Sequence, residues 1–250
     1  MAKIEDKNKS RLCGNVTRIV VALLFIILLL GVAKTVAIPQ GVSIIYSTTE
    51  NASVRSADSH AAEGGSFTTL RLNVTSQTSK WKAYVGNVTG RITLDDSSNR
   101  SIYDWSLTTI QGEVYVSRNS SINFSSLGCA DNSQIISEEN YLNISSSSDD
   151  SINTTFRQKT HKSFVIGGVG SIQNSSCYAI ATYINDAPQS FDEASQFQEV
   201  LLSDTRNLVF VTLLENKKVG FDTRVYDFQF IVPDDPREIS TTYFFYAELG

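Results

Sequence analysis

Nine asparagines of this 250-residue chain stand in the pattern Asn-x-Ser/Thr after residue 50: Asn51, Asn73, Asn87, Asn99, Asn119, Asn123, Asn143, Asn153 and Asn174. The chemistry that pattern serves is transfer of an oligosaccharide to the asparagine amide. It needs exposed, pliable backbone on the far side of a membrane. From Ile38 onward there are 14 Asn, and about a quarter of the residues are Ser or Thr. Nine sequons exceed what that composition gives by chance. Asn8 and Asn15 match the pattern too, but they precede an apolar run and are expected to stay cytosolic and unmodified.

Groupings that could run a reaction are scarce. His60 and His161 lie in polar stretches with no Cys or His partner at metal-ligand spacing, and both read as solvated loop residues. Nothing like the G-x-S-x-G nucleophile turn occurs. Asp95 to Asn99 (DDSSN) and Ser148 to Asp150 (SDD) offer oxygen ligands for calcium. Both lack the spacing, the Gly and the closing Glu of an EF-hand, and they read as solvated turns. In the pairs Asp149-Asp150 and Asp234-Asp235, neighbouring side chains on extended backbone point to opposite faces, which suits no shared acid/base site. Trp81 and Trp105 could stack on sugar rings, but on neighbouring strands they are expected to share core packing. No catalytic residue, metal or cofactor is assigned, and an enzyme is not expected.

Cys129 and Cys177 are the two cysteines beyond the apolar run. In an oxidising compartment such a pair is expected to form one disulfide. Without a histidine cluster, zinc is not expected. Cys13 lies before the run, the wrong side for a lipoprotein-type cysteine, and reads as a free thiol.

That apolar run decides topology. In residues 1–18 five basic side chains against two acidic ones leave +3, and Ile19 to Ala33 is then uninterrupted Ile, Val, Leu, Phe, Ala and Gly. A basic flank before an apolar run inserts with its N-terminus in the cytosol and carries the rest across. Counted through Ile38, with Lys34 reaching toward the headgroups, residues 19–38 are long enough for a transmembrane anchor. Small-x-Ala triplets at Gly31 to Ala33 and Thr35 to Ala37 also permit cleavage as a signal peptide. Removing the +3 from the chain's net −5 leaves −8 on the remainder. An acidic, sequon-rich surface argues against nucleic acid as a partner.

The elements that must carry the sequons read as strands. Alternation and β-branched or aromatic content predict strands at 42–48, 67–75, 81–88, 91–94, 101–105, 112–117, 163–169, 177–184, 197–203, 207–215, 225–232 and 241–249. In Phe67 to Thr75, Leu70, Leu72 and Val74 share one face, and Thr69, Arg71 and Asn73 the other. Asp204 to Arg206 predicts a tight hairpin, and Asn207 to Leu214, apolar on both faces, a central strand. Asp131 to Asn143 shows near-helical spacing behind an Asp/Asn cap, so 129–156 reads as a short helical excursion. The sequon-free last 75 residues hold the densest aromatic strands and read as the middle of the sheet. The expected fold is all-β: an antiparallel sandwich or jelly roll over 39–250, behind a basic segment (1–18) and one hydrophobic helix (19–38).

Trp81 to Gly90 (WKAYVGNVTG), Ile102 to Trp105 (IYDW), Gly220 to Asp222 (GFD), Tyr226 to Pro233 (YDFQFIVP) and the end Tyr243 to Gly250 (YFFYAELG) carry a resemblance. Together they resemble uncharacterised archaeal cell-surface proteins. The resemblance spans most of the chain after the apolar run, and its motifs are structural rather than catalytic. It implies an N-terminal membrane segment followed by an extracellular β domain, and no activity. The expected function is therefore that of a membrane-anchored, glycosylated surface protein with a structural or adhesive role. Two alternatives stand beside it. One is a secreted filament subunit in which residues 38–48, with Val42, Ile44 and Tyr46 on one face, complete the sheet of another subunit. The other is a glycan-binding module using Trp81, Trp105 or exposed tyrosines.

Overall fold

In the computed structural model, which describes residues 38–237 and 240–249, fifteen strands, a 3-10 turn at Phe124–Ser126 and two short helices follow one another. The first part runs β1 (Gln40–Gly41), β2 (Trp81–Gly86), β3 (Arg91–Asp95), β4 (Ser101–Ser106), β5 (Gly112–Ser117), β6 (Gly128–Cys129), α1 (Asn132–Tyr141) and α2 (Ile152–Thr155). The second runs β7 (Phe164–Ile166), β8 (Gly170–Ile172), β9 (Ala179–Ala181), β10 (Gln198–Ser203) and β11 (Leu208–Leu213). It ends with β12 (Lys218–Val219), β13 (Val225–Tyr226), β14 (Phe228–Pro233) and β15 (Phe244–Leu249). Each strand pair is antiparallel, so the described chain is all-β with two short helices. The basic segment and nearly all of the expected anchor at 19–38 lie outside the described residues, among which no helix is long and apolar enough to cross a membrane.

The main sheet has the order β1-β15-β5-β11-β10-β6, with β9 also on β10. Every residue of β10 and β11 is buried. That follows from LVFVTL and QEVLLS being apolar at positions of both parities, which a strand tolerates only when both faces are covered. One face (Val116, Leu201, Phe210) packs on Phe230 and Val232 of the separate ribbon β14–β2, and on Ile135, Ile152 and Phe156 from the helical region. The other face (Tyr115, Val200, Leu202, Val211) packs on Phe164, Ile166 and Ile172 of the ribbon β7–β8. Layers are also tied by polar groups: Glu199 on β10 accepts from the Ile231 amide of β14 at 3.0 Å, and Thr212 on β11 donates to the Gln229 carbonyl at 3.3 Å.

The helix stands where its cap predicts. Asp131 accepts from the Gln134 amide at 3.0 Å while Gln134 Oε1 accepts from the Asp131 amide at 2.9 Å, a complete capping box. Arg118 grips Glu138 of α1 with two bonds (2.6 and 2.7 Å) and lies 3.6 Å over the Tyr141 ring. At β5 the chain needs glycine: Gly112 has φ +120°, and a Cβ there would sit 2.0 Å from the Glu248 carbonyl oxygen.

Two predicted strands do not form. Residues 42–48 and 67–75 are exposed and stand in no ladder among the described residues. Their alternation is genuine, but a strand needs a neighbour for its amides and carbonyls, and none is supplied.

Cys129 and Cys177 are joined, with Cα atoms 4.9 Å apart. The bond stitches a seam. β6 and β9 share one edge of β10 end to end, with Cys129 opposite Leu202 and Ala179 opposite Val200. Each is too short to hold that edge alone. The cysteines are 48 residues apart; closing a loop of that size stabilises by about 4 kcal/mol in the chain-entropy model. Reduction, or Cys129→Ala with Cys177→Ala, is expected to lower the urea midpoint sharply. Hydrogen exchange should then rise first at residues 128–130 and 177–181.

Candidate functional site

The two unpaired segments belong to one excursion. It leaves the sheet after β1, where Gln40 and Gly41 lie opposite Ala247 and Tyr246 and the Val42 amide donates to the Phe245 carbonyl at 3.2 Å. It reverses at Glu63–Ser66, where Gly65 takes φ +79° and the Ser66 hydroxyl donates to the Glu63 carbonyl at 2.7 Å. It returns through a clamp on Asp150. Thr78 Oγ1 (2.8 Å) and Lys80 Nζ (2.6 Å) each donate to the Asp150 carboxylate, and the Trp81 indole donates to the Asp150 carbonyl at 2.8 Å. Lys80 and the hydroxyls hold that carboxyl well below the usual carboxylate range. Both ends are therefore tethered, and residues 43–77 between them carry no secondary structure beyond the turn.

Loops of that length inside a compact domain are uncommon and usually functional. This one is also apolar at its exposed positions. Ile45 is 86% exposed, Tyr46 79%, Phe67 93% and Leu72 84%, with Ile44, Val54, Leu70 and Val74 exposed beside them. Burying such a side chain stabilises by roughly 1.5–3 kcal/mol. Left exposed, these side chains gain none of that stabilisation within the described residues.

The second part of the site is where the excursion re-enters. β2 has β14 as its strand partner and an unpaired edge on its other side. Along that edge the core is open: Trp81, Tyr84, Phe245, Ala247 and Leu249 pack on the core yet stay half-buried. Tyr84 stacks on Phe230 at 5.5 Å and meets Phe245 edge-on at 5.3 Å. The third part is the ribbon β3–β4, whose Ile92, Leu94, Ile102, Tyr103 and Trp105 are all exposed. Core packing shared by the two tryptophans is not found. Trp81 lies against Phe156 and the core, whereas Trp105 packs on Tyr103 at 4.9 Å, out in solvent. Both stand in the same aromatic strand context in the sequence, and only the docking of β2 and not of β4 separates them.

The sequon asparagines Asn51, Asn73, Asn87, Asn99, Asn119, Asn123, Asn143, Asn153 and Asn174 are all exposed. Three amides are held by neighbours: Asn119 by Asn207 (2.9 Å), Asn143 by Asp235 (2.6 Å) and Asn174 by Glu193 (2.6 Å). Asn119 and Asn123 flank a polar hollow of about 380 Å³. Its acid, Asp204, is committed to the Asn123, Arg206 and Asn207 amides at 2.7–3.0 Å.

Of the histidines, His60 is exposed, but His161 is a correction to the sequence expectation of a solvated loop residue. It is fully buried beside the disulfide, and its Nε2 accepts from the Ser176 (3.2 Å) and Cys177 (3.0 Å) amides. It satisfies two backbone donors beside the disulfide that would otherwise stand unpaired there. The Asp-rich turns are self-contained. Asp96 accepts from the Ser98 and Arg100 amides, and Asp150 serves the clamp. Asp234 and Asp235 hold different partners, the Thr241 amide and Arg237. Among the described residues no group of three or more His, Cys, Asp or Glu is placed to hold a metal ion.

Sequence reasoning passed over the buried carboxylates, whose one signal was Glu inside otherwise apolar strands. Glu113 on β5 lies directly opposite Glu248 on β15, both buried. Glu248 accepts from the Gly167 amide (2.9 Å) and the Tyr115 hydroxyl (3.2 Å). Burial, and then the Glu248 charge, push the Glu113 carboxyl up to about 8, against a smaller opposing pull from Lys162. Glu199, fully buried, is pushed well above the carboxylate range by the same desolvation.

Comparison of the chain with protein-family models, with curated proteins and with solved structures finds no match.

These carboxyls give the fold a definite pH dependence. Folded Glu113 keeps its proton up to about pH 8, whereas its ordinary value is 4.5. Above 4.5 the unfolded chain releases a proton that the folded chain retains, so stability falls as pH rises from 4.5 to about 8. The slope from this one group is at most about 1.4 kcal/mol per pH unit. Thermal melts are expected to give a higher midpoint near pH 4.5 than near pH 8, and Glu113→Gln should shrink the difference. An unchanged difference in that variant would refute Glu113 as its source.

Proposed function

We propose that the protein is a structural component of the cell surface. In this reading it is an N-glycosylated extracellular β-sandwich, carried on an anchor at residues 19–38, whose copies associate by β-strand addition through the excursion at 43–79. The observation that carries the reading is that this excursion has strand alternation and exposed apolar side chains, with no ladder partner among the described residues. Strand addition supplies both missing items at once, backbone partners and an apolar surface. The exposure of all nine sequon asparagines supports an outside location for 39–250. The basic-then-apolar leader supports the orientation.

The excursion is tethered at both ends, so strand addition does not require a freed N-terminus. Gln40 and Gly41 are spent on β15, which puts the donor downstream of them. An anchored surface protein and a secreted filament subunit can thus use the same contact. Mass spectrometry of protein from its native membrane is expected to find an N-terminal peptide beginning at Met1 or Ala2, and glycopeptides at most of the nine sequons. A start at Lys34 or Ile38 would make the secreted filament subunit the correct version.

Self-association has its own test. Replacing residues 44–76 with a Gly/Ser chain of equal length should convert oligomers to monomers by light scattering, with the melting curve retained. Association that survives the replacement, or a wild-type protein that is monomeric at high concentration, would sink the proposal.

A further inference from the structure

Resting on that reading, we infer that the returning leg of the excursion, residues 67–75 of one copy, adds as an antiparallel strand to the free edge of β2 in a second copy. Three other edges are unsuited to it. The outer edge of β10 is filled by β6 and β9. That of β15 is taken at its middle by β1, opposite Tyr246 and Ala247, with the Val42 amide on the Phe245 carbonyl. On β14, the Ile231 amide and Gln229 carbonyl are already taken by Glu199 and Thr212. The free edge of β2 is different: a six-residue strand beside a core whose rim is half-buried at Tyr84, Phe245, Ala247 and Leu249.

The leg matches this edge in parity. In an antiparallel pair, directly opposite residues share a face. On β2, Tyr84 faces the core, while Ala83 and Val85 are exposed. With Leu72 opposite Tyr84, the side chains of Leu70, Leu72 and Val74 all fall on the core side and cover the open rim. Arg71 and Asn73 then lie opposite Val85 and Ala83, on the solvent face, where a glycan on Asn73 is accommodated. A slip by one residue would bury Arg71 and the sequon, so the pattern fixes the parity of the pairing, and the cross-link below reads its register. The Asp150 clamp on Thr78 and Lys80 fixes the start of β2, where the leg joins it.

The test uses the full-length chain with Cys13→Ser, so that Cys129–Cys177 remains the one native disulfide. Copies carrying Asn73→Cys are mixed with differently tagged copies carrying Ala83→Cys and oxidised mildly. A disulfide between the two tags is expected. Leu72→Cys in place of Asn73→Cys should give at least about tenfold less, because adjacent strand residues face opposite sides. Leu72→Asp should abolish association, and Arg71→Asp should leave it intact. Oligomers that form without the 73–83 cross-link would overturn this pairing and leave self-association standing. A cross-link found within single copies carrying both cysteines would show the leg closing on its own β2, and would overturn it too. Absence of any oligomer would remove both readings together.

Discussion

The constraint on which this molecule depends is that β10 and β11 are buried on both faces. Two strands of that composition cannot stand in a two-layer arrangement with one wet side. Everything around them therefore serves to cover one face or the other. On one side the cover is a ribbon, β7–β8, set near a disulfide and a buried histidine. On the other it is a second ribbon, β14–β2, assisted by residues of the helical region. Hydrophobic burial drives both, and the polar ties from Glu199 and Thr212 to the β14 backbone set where the second ribbon lies.

The two covers are unequal. A two-stranded ribbon is too narrow to roof a sheet of seven, and the shortfall lies along β2, above β15. The same chain carries, immediately before β2, an extended leg with the alternation of the strand that is missing. An incomplete roof and an unpaired strand in one protein are what the proposed contact between copies would bring together. This arrangement also separates two questions that the sequence couples. Retention of the leader and assembly by strand addition exclude one another only if the donor is a free N-terminus, and the proposed donor is a loop held at both ends.

The carboxylates near the sheet edge add a chemical bias. Glu113 and Glu248 face each other across β5 and β15, in low dielectric, where two negative charges cannot both be tolerated. The fold accepts the pair by keeping a proton on Glu113.

Much of the architecture was readable in residue order because it depends on local or near-local rules. The Asp204 to Arg206 turn joins β10 and β11 as its residue types require, β5 spans Gly112–Ser117 as its alternation predicts, and α1 begins at the cap offered by Asp131. The disulfide followed from there being two cysteines beyond the apolar run, and the exposed sequons from their placement in polar turns and on outward strand positions. What pairing and burial decide was not readable. Leu70, Leu72 and Val74 have the same pattern as a core strand, yet are exposed because no partner lies beside them. His161 looks like a loop histidine, yet is enclosed because a distant segment, Ser176–Cys177, needs its ring nitrogen. Trp81 and Trp105 share a local context and part company on docking alone. Alternation states that a segment is able to be a strand; only the three-dimensional arrangement of the other strands determines whether its hydrogen bonds and its apolar face find anything to meet.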